Sequence, residues 1–105
     1  KKIEKMILYS VTVNIDRTIE QEWLQWMKTV HIPEIMETGL LLGNKVLRLL
    51  TEIENEGTTF SCQYYFQTME DYFTYDQLHS TELQQKHHVR YVNKYVSFRT
   101  LLEEV

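Results

Sequence analysis

Between Met6 and Ile15 apolar and polar residues alternate. Ile7, Tyr9, Val11, Val13 and Ile15 share one parity, and Ser10, Thr12 and Asn14 the other. A period of two sends these sets to opposite sides of a strand, so the segment is predicted as β-structure with one apolar face. Asp16 follows where a helix cap belongs, with Glu20 in the first turns after it. The rhythm then changes. Ile19, Trp23, Trp26, Met27 and Val30 recur at spacings of three and four, which marks a helix buried along one stripe. Pro33 disfavours helical geometry at Ile32 before it, so this helix is expected to end near His31. Pro33 can then open a short second turn of helix that Gly39 closes.

Alternation returns from about Lys45 to Glu54, with Leu47, Leu49 and Ile53 on one parity and Arg48, Leu50 and Glu52 on the other. Asn55, Glu56 and Gly57 read as a hairpin turn in which glycine supplies a positive φ. In the third strand Phe60, Cys62, Tyr64 and Phe66 oppose Ser61, Gln63, Tyr65 and Gln67. A long helical segment spans roughly Met69 to Asn93, with a break near His79-Ser80-Thr81 where a capping residue restarts it before Leu83. In a fourth strand Val96, Phe98, Thr100 and Leu102 oppose Ser97, Arg99 and Leu101. The order β-α-β-β-α-β, with right-handed crossovers, specifies an α+β, ferredoxin-like sandwich. Its four-stranded antiparallel sheet has the first and third strands in the middle and both helices on one face. Residues 1–5 read as an N-terminal tail before a natural start at Met6, and residues 6–105 as a single domain.

Composition narrows the function. A content of 43% hydrophobic and 25% charged residues is that of a globular chain and argues against wholesale disorder. The net charge is −4 and no Lys/Arg stripe is present, so nucleic acid is not an expected partner. Cys62 is the one cysteine, which rules out an internal disulfide or a cysteine-rich zinc site and favours a reducing, cytoplasmic setting. No apolar run approaches the roughly 20 residues of a membrane span, so no membrane association is expected.

The sheet face turned away from the helices should show Ser10, Thr12, Asn14, Ser61, Gln63 and Tyr65 across the central strands. Arg99 is expected to flank them on one side and Arg48 on the other, with Leu8, Leu50 and Leu101 towards one end. A simply solvated face carries more Lys and Glu. Short, uncharged side chains suit the wall of a covered, partly wet cavity, which two such sheets packed face to face would enclose. The plain alternative is an exposed polar face.

The segments "MILYSVTVNI", "WLQWMKTVHIPEIMETG", "GTTFSCQYYFQ" and "VSFRTLLEEV" together resemble a small bacterial family of domains of unknown function. By appearance that family belongs with the dimeric α/β-barrel superfamily of ferredoxin-like folds. The resemblance runs from Met6 onward and is most specific in "HIPE…TG" and "FRTLLE". It implies a homodimer whose sheets face each other, and no particular activity. The wider superfamily spans cofactor-free monooxygenases, cyclases, isomerases and haem-handling enzymes, besides members without demonstrated catalysis, so the fold alone selects no reaction.

His31 carries two readings. It can be a helix-terminal histidine favoured by the negative end of the dipole. It can also be a general acid or base at the mouth of a barrel, partnered by Glu34 or Glu37. On the second helix, His79 and His87 lie eight residues apart, roughly 12 Å along the axis. Leu83 stands where an intervening metal ligand would be needed, and Asp76 and Glu82 offer His79 only solvated partners, so no metal is expected. His79 and Asn14 only loosely imitate the pair used by haem-degrading barrel enzymes, and the strand tryptophan of that pattern is missing, so no cofactor is expected. Trp23 and Trp26 read as core, and Cys62 as a buried, inert thiol. An RNA-recognition domain has this strand order, but "TTFSCQYY" lacks its basic-glycine-aromatic signature.

Two functions remain. The first is a non-catalytic homodimer enclosing a small-molecule cavity. The second is a cofactor-independent enzyme of monooxygenase, isomerase or cyclase type, acting on a small anionic or aromatic metabolite. There Arg48 and Arg99 would hold an anionic group, Asn14, Gln63 and Tyr65 would orient it, and His31 would move a proton. The first is preferred because the polar wall lacks a nucleophile or base of its own.

Overall fold

The structure, a computed structural model, describes residues 5–51 and 57–105. Strands β1 (Ile7–Asp16), β2 (Gly43–Arg48), β3 (Gly57–Phe66) and β4 (Tyr95–Glu103) form one antiparallel sheet in the order β2-β3-β1-β4. The two long central strands are those whose sequences alternate most cleanly. Their shared apolar parity buries Ile7, Tyr9, Val13, Ile15, Phe60, Cys62, Tyr64 and Phe66. Both helical segments pack on this face: Trp23 meets Phe60 at a ring distance of 5.1 Å, and Phe66 meets Tyr72 and Tyr75 at 5.5 Å each. The expected α+β, ferredoxin-like sandwich is what the chain forms.

Asp16 caps the turn after β1 by accepting from the Thr18 amide at 2.8 Å and the Thr18 hydroxyl at 2.7 Å. Helix α1 (Glu20–Trp26) does not stop at His31. It widens into a π turn over Met27–His31 and continues as α2 (Ile32–Met36), with Ile32 itself helical at φ −64°, ψ −44°. The Ile32 amide reaches back five residues to the Met27 carbonyl. Widening the turn makes room for the Pro33 ring, which would otherwise meet the carbonyl four residues back. Gly39, at φ +78°, ends the segment in the left-handed conformation expected of it. The second segment likewise runs unbroken from α3 (Met69–Tyr75) through a π turn over Asp76–Ser80 into α4 (Thr81–Tyr91). Ser80 does not cap a new helix; its hydroxyl donates back to the Asp76 carbonyl at 2.7 Å.

Two strand expectations change. Strand β2 is shorter than predicted, and the turn residues Asn55 and Glu56 fall outside the described residues. Gly57 belongs to β3, opposite Asp16, and is required for space: a Cβ there would lie 2.1 Å from Asn14 Oδ1 and 2.6 Å from the Ile15 carbonyl. The phases of both outer strands are also reversed. Arg48 pairs with Phe60 and Arg99 with Val11, so both arginines lie on the helix side, as does Leu101 opposite Tyr9. Leu47, opposite Ser61, and Phe98, opposite Thr12, take the open side.

Candidate functional site

The open face of the sheet has an uncharged polar centre. Ser10 and Ser61 hydroxyls lie 3.1 Å apart, and Gln63 Nε2 donates to Ser61 Oγ at 3.3 Å. The Tyr65 hydroxyl donates to Gln63 Oε1 at 3.0 Å, and Asn14 Nδ2 to Thr59 Oγ1 at 3.0 Å. These groups therefore hydrogen-bond one another along the strip. The outer strands add a border in which Leu47 is 47% exposed, Val96 70% and Phe98 62%, with the exposed Lys45 opposite Gln63 on the same side. Together they shape a concavity of ≈ 720 Å³ with Thr12, Asn14, Thr59 and Ser61 on its floor and Leu47, Leu49, Val96 and Phe98 on its sides.

The structure thus keeps Asn14, Gln63 and Tyr65 on one face, as their spacing indicated, and removes both arginines from it. Arg48 borders the concavity, but its guanidinium donates to Glu20 at 2.9 Å and lies 5.2 Å from the Phe60 ring centre. Arg99 and His31 line a second cavity on the other side of the sheet, beneath the helices.

That inner cavity, ≈ 40 Å³, is bounded by Tyr9, Tyr64 and Tyr75, by His31 and His87, and by Gln84, Ser97 and Arg99 over an apolar base. His31 is 5% exposed and stacks on Trp26, centroids 4.7 Å apart and planes 17° from parallel. It is no exposed helix end. Its Nδ1 is buried and has no hydrogen-bond partner among the described residues. His87 faces it at 5.8 Å between ring centroids and accepts from Trp23 Nε1 through Nε2 at 2.9 Å. Accepting at Nε2 fixes the neutral ring with its proton on Nδ1. Both histidines are pushed down to about 4, chiefly by burial, with His31 and Arg99 contributing at His87. Burial also raises Tyr9, Tyr64 and Tyr75, so all three hydroxyls stay protonated. Cys62, buried at the base, is pushed up to about 12 and is inert as a nucleophile.

Sequence reasoning singled out His31 but missed His87 as its neighbour. The pairing arises because the π turn rotates His31 inward while α4 presents Leu83, His87 and Tyr91 on one stripe. Ion pairs between Lys86 and Glu34 and between Arg90 and Glu22 bridge the two helical segments on their solvent side. Among the described residues, no three His, Cys, Asp or Glu side chains gather as a metal site, and no helix is long and apolar enough to cross a membrane.

A family model matches residues 6–105, the whole of the sheet and both helical segments. The chain belongs to the DUF4286 family, a domain of unknown function. No curated protein matches the sequence. Solved structures share the fold of this DUF4286 domain at low identity. A dimeric ferredoxin-like protein from an uncultured marine organism is 12% identical, with a TM-score of 0.67 and 97% of each chain covered. A conserved Bacteroides thetaiotaomicron protein of unknown function, described as a possible oxidoreductase, is 14% identical with a TM-score of 0.66, covering 96% of this chain and 99% of that one. A candidate antibiotic biosynthesis monooxygenase from Bacillus cereus is 10% identical with a TM-score of 0.64, covering 95% and 93%. At these identities the likeness is one of ferredoxin-like fold and carries no activity across.

Proposed function

We propose that this DUF4286 domain works as a homodimer that buries its open sheet face against a second copy and encloses a small-molecule chamber between the two sheets. One observation carries the reading: the outer strands turn Leu47, Val96, Phe98 and Leu102 outward, with Leu49 just beyond β2 and Lys45 at its margin, around a centre without charge. Burying each such apolar side chain is worth about 1.5–3 kcal/mol. Much of the polar strip between them is already hydrogen-bonded within itself, which lowers the cost of covering it. Four strands at ~4.8 Å spacing and about nine residues long give a face of roughly 20 by 30 Å. With side-chain relief, that approaches the ~800 Å² per partner of a standard interface. The dimeric state of one structural neighbour agrees with this arrangement. Asn14 on the floor of the concavity, with Gln63 and Tyr65 further along the strip, would orient the enclosed molecule.

The enzymatic alternative is less well supported. It needs both arginines and His31 beside Asn14, Gln63 and Tyr65, whereas the sheet separates Arg99 and His31 from the latter three and Glu20 holds Arg48. The test is a pair of open-face variants, Phe98→Asp and Ser61→Arg, examined by sedimentation velocity and circular dichroism. Both should turn dimers into folded monomers at micromolar concentration. Variants that fold and sediment as the parent does would overturn the reading.

A further inference from the structure

The mouth of the inner cavity carries a positive charge, on the exposed side chain of Arg99. Arg99 makes no ion pair with any described residue, although Arg48, Lys86 and Arg90 all do. No aspartate or glutamate lines the cavity. Its polar groups lean towards donation: the protonated hydroxyls of Tyr9 and Tyr75, the Gln84 amide, and the Nδ1–H that the Trp23 bond leaves on His87. The lone pair or proton of buried His31 Nδ1 goes unanswered among the described residues. A guanidinium beside neutral walls, with donors turned on one small space, is the composition of an anion site. The cavity of ≈ 40 Å³ holds about three water molecules, which is also room for a carboxylate head and little more.

We infer that the cavity beneath the helices binds a small carboxylate, gripped by Arg99 at its mouth and met inside by His87 and the Tyr9 and Tyr75 hydroxyls. The site stands on the helix side of the sheet, so it does not depend on the dimer reading. It is separate from the chamber proposed on the open face.

The chain carries its own reporter. Both tryptophans touch the histidine pair, Trp26 by stacking on His31 and Trp23 by its bond to His87. Sodium acetate, titrated against sodium chloride at equal ionic strength and pH 7, is the probe. Acetate should change tryptophan emission saturably and chloride should not, and Arg99→Gln should weaken the response at least tenfold. Arg99→Lys, which keeps the charge but loses the fork, should fall between. An acetate response no different from chloride, or one that survives in a folded Arg99→Gln, overturns the proposal. Should Arg99→Gln fail to fold, the imidazole ¹⁵N resonances of the parent protein decide. Acetate is expected to move the His87 and His31 signals together, and signals that stay put count against the site.

Discussion

At the scale of the residue, the histidine pair has the most consequence. His31 and His87 are buried neutral, pushed down to about 4, while an unfolded chain protonates them near 6.5. Between those values the unfolded state binds more protons, so stability is full above pH 6.5 and is lost as pH falls towards 4. The slope is up to about 1.4 kcal/mol per pH unit per histidine. Of the charged neighbours, Glu34 favours a charged His31, whereas Lys86 opposes it and Arg99 and His88 oppose charge on His87. Hydrogen bonds hold the carboxyls of Asp16 and Glu22 below the usual carboxylate range, so their protonation acts at lower pH. Thermal melts should therefore show Tm falling by at least about 10 °C from pH 7 to pH 5. In His31→Asn about half of that fall should vanish. A Tm that is flat across the interval would show that the pair is not buried as described.

At the scale of the element, the fold was legible where strands are long and covered on one side. β1 and β3 alternate between core and hydroxyl or amide residues, and their register follows from that alternation. The helices were legible as elements but not in phase. Each π turn absorbs one extra residue: the buried sequence runs Met27, His31, Ile32, leaving Val30 47% exposed, and Tyr75 is followed by Ser80 five residues on. No period of 3.6 foretells that, and with it went the inward turn of His31 and the meeting with His87. The outer strands misled for another reason. In β4, Val96 and Phe98 look like core, yet they face outward while Ser97 and Arg99 face the helices. At the margin of the sheet the helices cover less, and the interface proposed for the open face would want apolar residues too, so apolar parity no longer marks the inner side. The Arg99 half of the candidate site was misplaced for that reason. Close approach between β1 and β3 gives a sharp test of the pairing. Gly57→Ala should destabilise the protein by about 1–3 kcal/mol in urea titrations, since its Cβ meets backbone as well as Asn14. Gly43→Ala, with open space around it, should cost far less.

At the scale of the whole molecule, one sheet separates two different environments. Beneath the helices lie the aromatic core, the neutral histidines and the Arg99 cavity. On the other side lies a polar strip bordered by leucine, valine and phenylalanine. A monomer would leave that border in water, where an apolar patch on a soluble chain marks an interaction surface. The measurement that bears most directly on this account is the equilibrium sedimentation mass of the unmodified protein at neutral pH and micromolar concentration. The account predicts a mass of twice 12.7 kDa. A single species of 12.7 kDa, folded and stable across that range, would contradict it.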